Sequence, residues 1–304
     1  MIEYQGLLSR VIRDGEHYEG RNGGTLSTWG ETLKVDMRGG YPLLTTKKIP
    51  FKWIATELLW MLAGSTDEHE LQAHGVKTWA PWATQEKCEV YGRDAGDLGP
   101  TYGFLLRFYG GKYMRTRDRR AMVKQEQMPE SWKGHDQLWE LCYNLDVDPY
   151  SRRHVVTQWD PYTLHEVEVP PCQPVWQVKV HDDHEMSLLV YCRSADVFVG
   201  LPFDIAHYGL LLEMLAWVTG RRPRQLVFQF GDLHLYDTHT DAAKALLERQ
   251  PRPKPEVFIG KDMWHATPSA PGQDNFVNLL QIQFQHFVLH NYDPHPKISA
   301  EVSV

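Results

Sequence analysis

RSADVFVGLPFDIAHY (residues 193–208) stands where a strand gives way to a helix. On one side, MSLLVYCRS (186–194) reads as a strand. On the other, IAHYGLLLEMLAWVTG (205–220) is the most apolar helix candidate in the chain, closed by Gly220. Further out, RQLVFQFGDLHLY (224–236) begins as a strand, and RHVVTQW (153–159) and VWQVKVH (175–181) read as strands. Residues 3–14 read as a short opening helix, and TLSTWGETLKVDM (25–37) as strands around a turn at Gly30. PFKWIATELLWMLAGST (50–66) carries apolar residues at helical spacing and ends at a capping Gly64; HDQLWELCYNLDVDP (135–149) is a second amphipathic helix. NFVNLLQIQFQHFVLHNYDPHP (275–296) has the text of a strand. Long strands mixed with a few long helices, without βαβ alternation, predict an α+β fold. No repeat or Pro/Ser-rich boundary interrupts the chain, so residues 1–304 read as one domain, with a basic surface insertion around 104–135.

The 304 residues are 42% hydrophobic and 23% charged, the balance of a soluble globular protein. A net charge of −7 gives no global pull toward DNA or an anionic membrane, so neither is expected as a partner. Cys88, Cys142, Cys172 and Cys192 lack CxxC spacing, and no metal site is expected. The N-terminal text has charges throughout and no long apolar run, as in neither a signal peptide nor a membrane span. A cytoplasmic, reducing location with Cys172 as a free thiol is the resulting expectation.

PPCQ (170–173) is weak evidence when taken alone, because a reactive thiolate needs a nearby positive charge. SRRH (151–154) and CRSAD (192–196) offer such charges. With the 193–208 segment added, the chain resembles the thymidylate synthase family. Further matches run in the family's order: GRNGGTLS (20–27), YPLLTTKK (41–48), TELLWMLAGST (56–66), TWAPWA (78–83), GDLGPTYG (96–103), DPYSRRHVVTQW (148–159), GDLHLYDTH (231–239) and YDPHP (292–296). The likeness covers nearly everything outside 104–135.

The resemblance implies a three-layer α+β homodimer with a large mixed sheet at its interface. It also implies 5,10-methylenetetrahydrofolate as cosubstrate and a pyrimidine nucleotide as acceptor. By motif position Cys172 is the nucleophile that adds to C6, making C5 enolate- or enamine-like. Glu57 organises the proton network and Tyr102 assists at C5. Arg21, Arg193 and Ser194 would hold the phosphate, with Arg152 and Arg153 supplied by the partner subunit; guanidinium forks suit a phosphate. His234 and Tyr236 match the pair on the ribose hydroxyl. Trp79, Trp82, Asp196, Gly200 and Phe203 match the folate pocket, and Val304 ends the closing tail. Lys47 or Lys48 would meet the folate glutamate.

The chain departs from the family where LPFN reads LPFD, at Asp204. An Asn there pairs with the N3–H and O4 of uracil. Cytosine inverts that pattern, and a carboxyl group can accept from its 4-amino group and share a proton with N3. Asp204 therefore suits cytosine, as in phage enzymes that modify deoxycytidylate, and should reject uracil by leaving polar groups unpaired. Gln173 stands where His is common and Cys192 where Gln is usual; both sit near the nucleotide by motif position. The expected reaction is C5 methylation of dCMP, because KISAEVSV (297–304) resembles a tail that seals the site from water. Hydroxymethylation of dCMP is the alternative, then thymidylate synthesis from dUMP. A non-enzymatic role, as an RNA-binding or silent subunit, rests on the basic 104–135 run.

Overall fold

A computed structural model describes residues 1–20, 22–181, 184–260 and 273–300. Its helices are α1 (Ile2–Asp14), α2 (Phe51–Leu62), α3 (Glu68–Ala73), α4 (Gln85–Glu89), α5 (Tyr102–Arg107), α6 (Thr116–Lys124), α7 (Glu130–Lys133), α8 (Gln137–Val147), α9 (Gly200–Val218), α10 (Thr240–Leu247) and α11 (Gln273–Gln281). Its strands are β1 (Glu16–Gly20), β2 (Gly23–Trp29), β3 (Thr32–Asp36), β4 (Val155–Thr157), β5 (Val175–Val180), β6 (Glu185–Asp196), β7 (Arg222–Tyr236), β8 (Glu256–Ile259) and β9 (Phe287–His290). The chain divides into two compact units: Met1–Ile54, Trp176–Asp262 and Gln285–Val304 form one, and Ala55–Val175 with Met263–Phe284 form the other.

In the first unit the strands run in the order β1-β2-β7-β6-β5, with β3 also on β7. β6 and β7 are parallel, whereas β2 and β3 are antiparallel to β7. The sheet is therefore mixed and the fold α+β, as expected. α9 lies on β6 and β7. It is apolar on nearly every side and buried along its length, the pattern of a core helix. By length and composition it would also cross a membrane, but most of it lies inside the fold.

The turn expected at Gly30 is present, with φ 77°, where a side chain would be strained. It does not fold β2 back on β3. Both strands lie end to end along β7, Trp29 opposite Asp232 and Thr32 opposite Gln229. The break is one level of a kink that crosses the sheet. In β7 the buried positions pass from Leu226, Phe228 and Phe230 to Leu233 and Leu235. In β6 they pass from Met186, Leu188, Val190 and Cys192 to Ala195. Side chains alternate along a strand, so a change of parity turns Ser194, Asp196, Asp232, His234 and Tyr236 onto the less buried face.

In the second unit, Trp60, Met61, Leu71, Val76, Ala83, Leu98 and Tyr102 form an apolar cluster on which Trp79 and Trp82 pack. Buried Gln137 ties α5, α8 and β4 together: its Nε2 donates to Leu105 O (2.8 Å) and Thr157 O (2.7 Å), and its Oε1 accepts from Thr157 N (2.9 Å). Two expectations change here. The 275–281 text is helical, because α11 packs on α8 and buries Asn278 and Leu279 as helical neighbours; the strand is confined to β9, paired with β8 in the first unit. The 104–135 segment is not wholly superficial. It contains α6 and α7 and most of α5, and Phe104, Leu105, Leu106, Thr116 and Arg119 are buried.

Candidate active site

The second unit gathers Glu57, Trp79, Tyr102, Cys172 and Gln173 into one series of hydrogen bonds and tilted ring contacts. α2 carries Glu57, whose two carboxylate oxygens accept from Thr78 Oγ1 and Trp79 Nε1, both at 2.9 Å. Burial pushes the Glu57 carboxyl above its ordinary pKa, although these two bonds oppose the shift. Such a group is suited to holding and passing a proton. The Trp79 ring lies 5.8 Å from Trp82 and 5.5 Å from Tyr102, tilted at 60° and 59°. Tyr102 opens α5. Its hydroxyl accepts from Cys172 N at 2.7 Å and donates to Gln173 Oε1 at 3.1 Å. Cys172 forms no disulfide and is partly exposed, unlike the other three cysteines, which are buried.

Arg152 and Arg153 are exposed at the turn between α8 and β4. Buried His154 fixes that turn through Nε2 on Pro149 O at 3.0 Å.

The kinked end of the sheet carries a second set, in the first unit. Ser27 faces His234, and Asp196 flanks it on the other side. His234 Nδ1 donates to Asp232 Oδ1 at 2.5 Å, and Ser27 Oγ donates to Asp232 Oδ2 at 2.7 Å. Burial disfavours the Asp232 charge, but the bonds from His234 and Ser27 outweigh it and hold the pKa below the ordinary value. An ionised Asp232 accepts only, so His234 holds a proton on Nδ1 and leaves Nε2 for other partners. A cavity of about 210 Å³ is lined by Gly20, Asn22, Gly23, Thr25, Asp232, His234 and Tyr236.

Asp196 uses Oδ1 to accept from Phe198 N (2.8 Å) and Val199 N (3.0 Å), at the entrance to α9. Its Oδ2 lies 3.8 Å from His239 Nδ1. Tyr4 Oη donates to Val197 O at 2.9 Å, and buried Lys47 donates to Phe198 O, so the 196–199 turn is held from two further sides. Burial lowers the Lys47 pKa to about 8. Lys47 thus turns inward, and Lys48 is the exposed member of the pair. Gly200, Phe203 and Asp204 occupy the first turns of α9, with Asp204 partly buried.

Arg21 and Val304 lie outside the described residues. Thr78, Ser27, Asp232 and His239 were not anticipated. Asp232 had a signal, since it stands two residues before His234 and a strand returns to the same face every second residue. In the second unit Trp79 and Trp82 offer ring faces suited to a flat ring system. A model of the thymidylate synthase family matches residues 2–304. The chain belongs to the thymidylate synthase family, whose members transfer a one-carbon unit from methylenetetrahydrofolate to C5 of a pyrimidine nucleotide.

Proposed function

We propose that this chain is a deoxycytidylate C5 methyltransferase. Asp204 carries that reading: a partly buried carboxyl stands where the family pattern has an amide. A carboxyl cannot both accept from N3–H and donate to O4 of uracil while ionised. Toward cytosine it accepts from the 4-amino group and shares a proton with N3. Leaving a buried polar pair unmatched costs about 1–3 kcal/mol per group, enough to exclude the wrong base.

Cys172 adds through sulfur to C6, and C5 becomes nucleophilic. Methylenetetrahydrofolate supplies the one-carbon unit and, for a methyl product, the hydride. Trp79 and Trp82 hold the pterin, Asp196 accepts from it, and Gly200 and Phe203 line its place. Glu57, fixed by Thr78 and Trp79, moves protons, and Tyr102 assists at C5. Arg21, Arg193 and Ser194 bind the phosphate together with Arg152 and Arg153 of a second copy, a role their exposure allows. His234 meets the sugar hydroxyl through Nε2, beside Tyr236.

Mass spectrometry of products from dCMP and dUMP, each with methylenetetrahydrofolate, tests the reading alongside absorbance of dihydrofolate. Gain of CH2 on dCMP with dihydrofolate formation is expected. Gain of CH2O without dihydrofolate would make the enzyme a hydroxymethyltransferase. Product from dUMP alone would overturn the assignment of Asp204 and leave a thymidylate synthase.

A further inference from the structure

Two hydrogen bonds govern the Tyr102 hydroxyl. Cys172 N–H donates to its oxygen at 2.7 Å, and its own proton goes to Gln173 Oε1 at 3.1 Å. A phenol carries one proton. With that proton committed to Gln173, the Tyr102 oxygen acts only as an acceptor toward any further group. Gln173 is 5% exposed, and it is its Oε1 rather than its NH2 that meets the Tyr102 hydroxyl. Where the family commonly has His, a ring nitrogen can donate or accept according to its tautomer. The Gln173 amide oxygen only accepts. The polarity of Tyr102 is therefore fixed by its neighbour.

We propose that Gln173 is a positioning residue that fixes the Tyr102 oxygen as the hydrogen-bond acceptor for the water that takes the C5 proton. The inference rests on the reading that Cys172 adds to C6. In the step concerned, the C5–H bond breaks, its electron pair stays in the ring as the enamine or enolate double bond, and the proton passes to a solvent water held by the Tyr102 oxygen. Nothing is oxidised or reduced. The main effect of Gln173 then falls on proton removal rather than on nucleotide affinity.

The test uses full-length Q173M, Y102F and the double variant. Met keeps the length of Gln and removes the acceptor. Tritium release from dCMP and dUMP labelled at C5 is followed with methylenetetrahydrofolate, together with the nucleotide KM and the tritium isotope effect. Q173M is expected to lower kcat for release by about tenfold to a hundredfold, part of the usual range for acid–base assistance, with KM within about twofold. Its isotope effect should rise as proton removal becomes limiting. In the Y102F background Q173M should add less than about twofold, because both changes act on one hydroxyl. Multiplying losses, or a raised KM with unchanged kcat, would overturn the proposal. Tritium release by the wild type from neither nucleotide would instead sink the functional reading beneath it. Thermal melts of each variant separate these results from misfolding.

Discussion

At the scale of single residues, the site depends on which atom of each polar group is already engaged. His234 has Nδ1 on Asp232, Tyr102 has its proton on Gln173, and Asp196 has one oxygen on the backbone. Each group thus has one atom already committed before a ligand arrives. Asp204 is the residue where exchanging a single atom should change the substrate. D204N replaces one acceptor by an NH2 donor, restoring the pattern that suits uracil. We predict that the ratio of kcat/KM for dCMP over dUMP falls by about a hundredfold or more, within the range seen where buried hydrogen-bonding groups discriminate. Competition between the two nucleotides for one enzyme sample reads this directly, and an unchanged ratio would remove Asp204 from base recognition. Much of this set was legible in the chain. Glu57 stood out because a carboxyl in an apolar helix needs partners. Its partners Thr78 and Trp79 were less legible as partners, because nothing in TWAPWA says which side chain will face α2. Ser27 and Asp232 were hidden for the same reason: their contact spans 205 residues of sequence and exists only once β2 lies on β7.

At the scale of elements, the kink in the sheet does most to place the first unit's residues. Gly30 was readable as a turn, but two strands flanking a turn usually form a hairpin. That both lie on β7 depends on a partner strand nearly two hundred residues away, which local text does not encode. The misread helix α11 has the same origin. Its apolar residues fit either period over so short a run, and packing on α8 decides between them. Gly231 is where the kink is most confined. A Cβ built there would lie 2.9 Å from Arg193 O and 3.1 Å from Tyr191 Oη. The first of these is backbone and cannot turn aside. We expect G231A to destabilise the fold by about 1–3 kcal/mol, as overpacking does. It should also weaken nucleotide binding, because Asp232 and His234 follow directly in β7. Thermal melts and nucleotide titration check both effects. Loss of stability with intact binding would show that the kink does not set the site.

At the scale of the whole molecule, the most basic stretch of the chain has its charge largely settled locally. Much of the basic 104–135 run is engaged within the chain. Arg107 pairs with Asp136, Arg115 with Asp94 and Asp97, Arg117 with Asp118 and Arg120 with Glu70, while Arg119 lies over the rings of Phe104 and Phe108. So many engaged guanidinium groups weaken the case for an RNA-gripping surface. Two half-buried groups on α9 leave a signature in stability against pH. Burial lowers the His207 pKa to about 4 and raises that of Glu213 to about 8. The unfolded chain protonates His207 near its ordinary 6.5, so stability falls as pH drops from 6.5 toward 4. The folded chain keeps a proton on Glu213 that the unfolded chain loses near 4.5, so stability falls as pH rises from 4.5 toward 8. Each slope is at most about 1.4 kcal/mol per pH unit. Between 4.5 and 6.5 they oppose and nearly cancel, which predicts a plateau with a decline on each side. E213Q removes the alkaline limb. We expect its melting temperature to exceed the wild type's by a few degrees at pH 8, by the usual conversion for chains of this size, with little difference near pH 4. H207N should flatten the acid limb instead. Melting curves across pH 4 to 9 for the three proteins decide the point: parallel profiles, offset but of one shape, would show that neither group titrates across the unfolding transition.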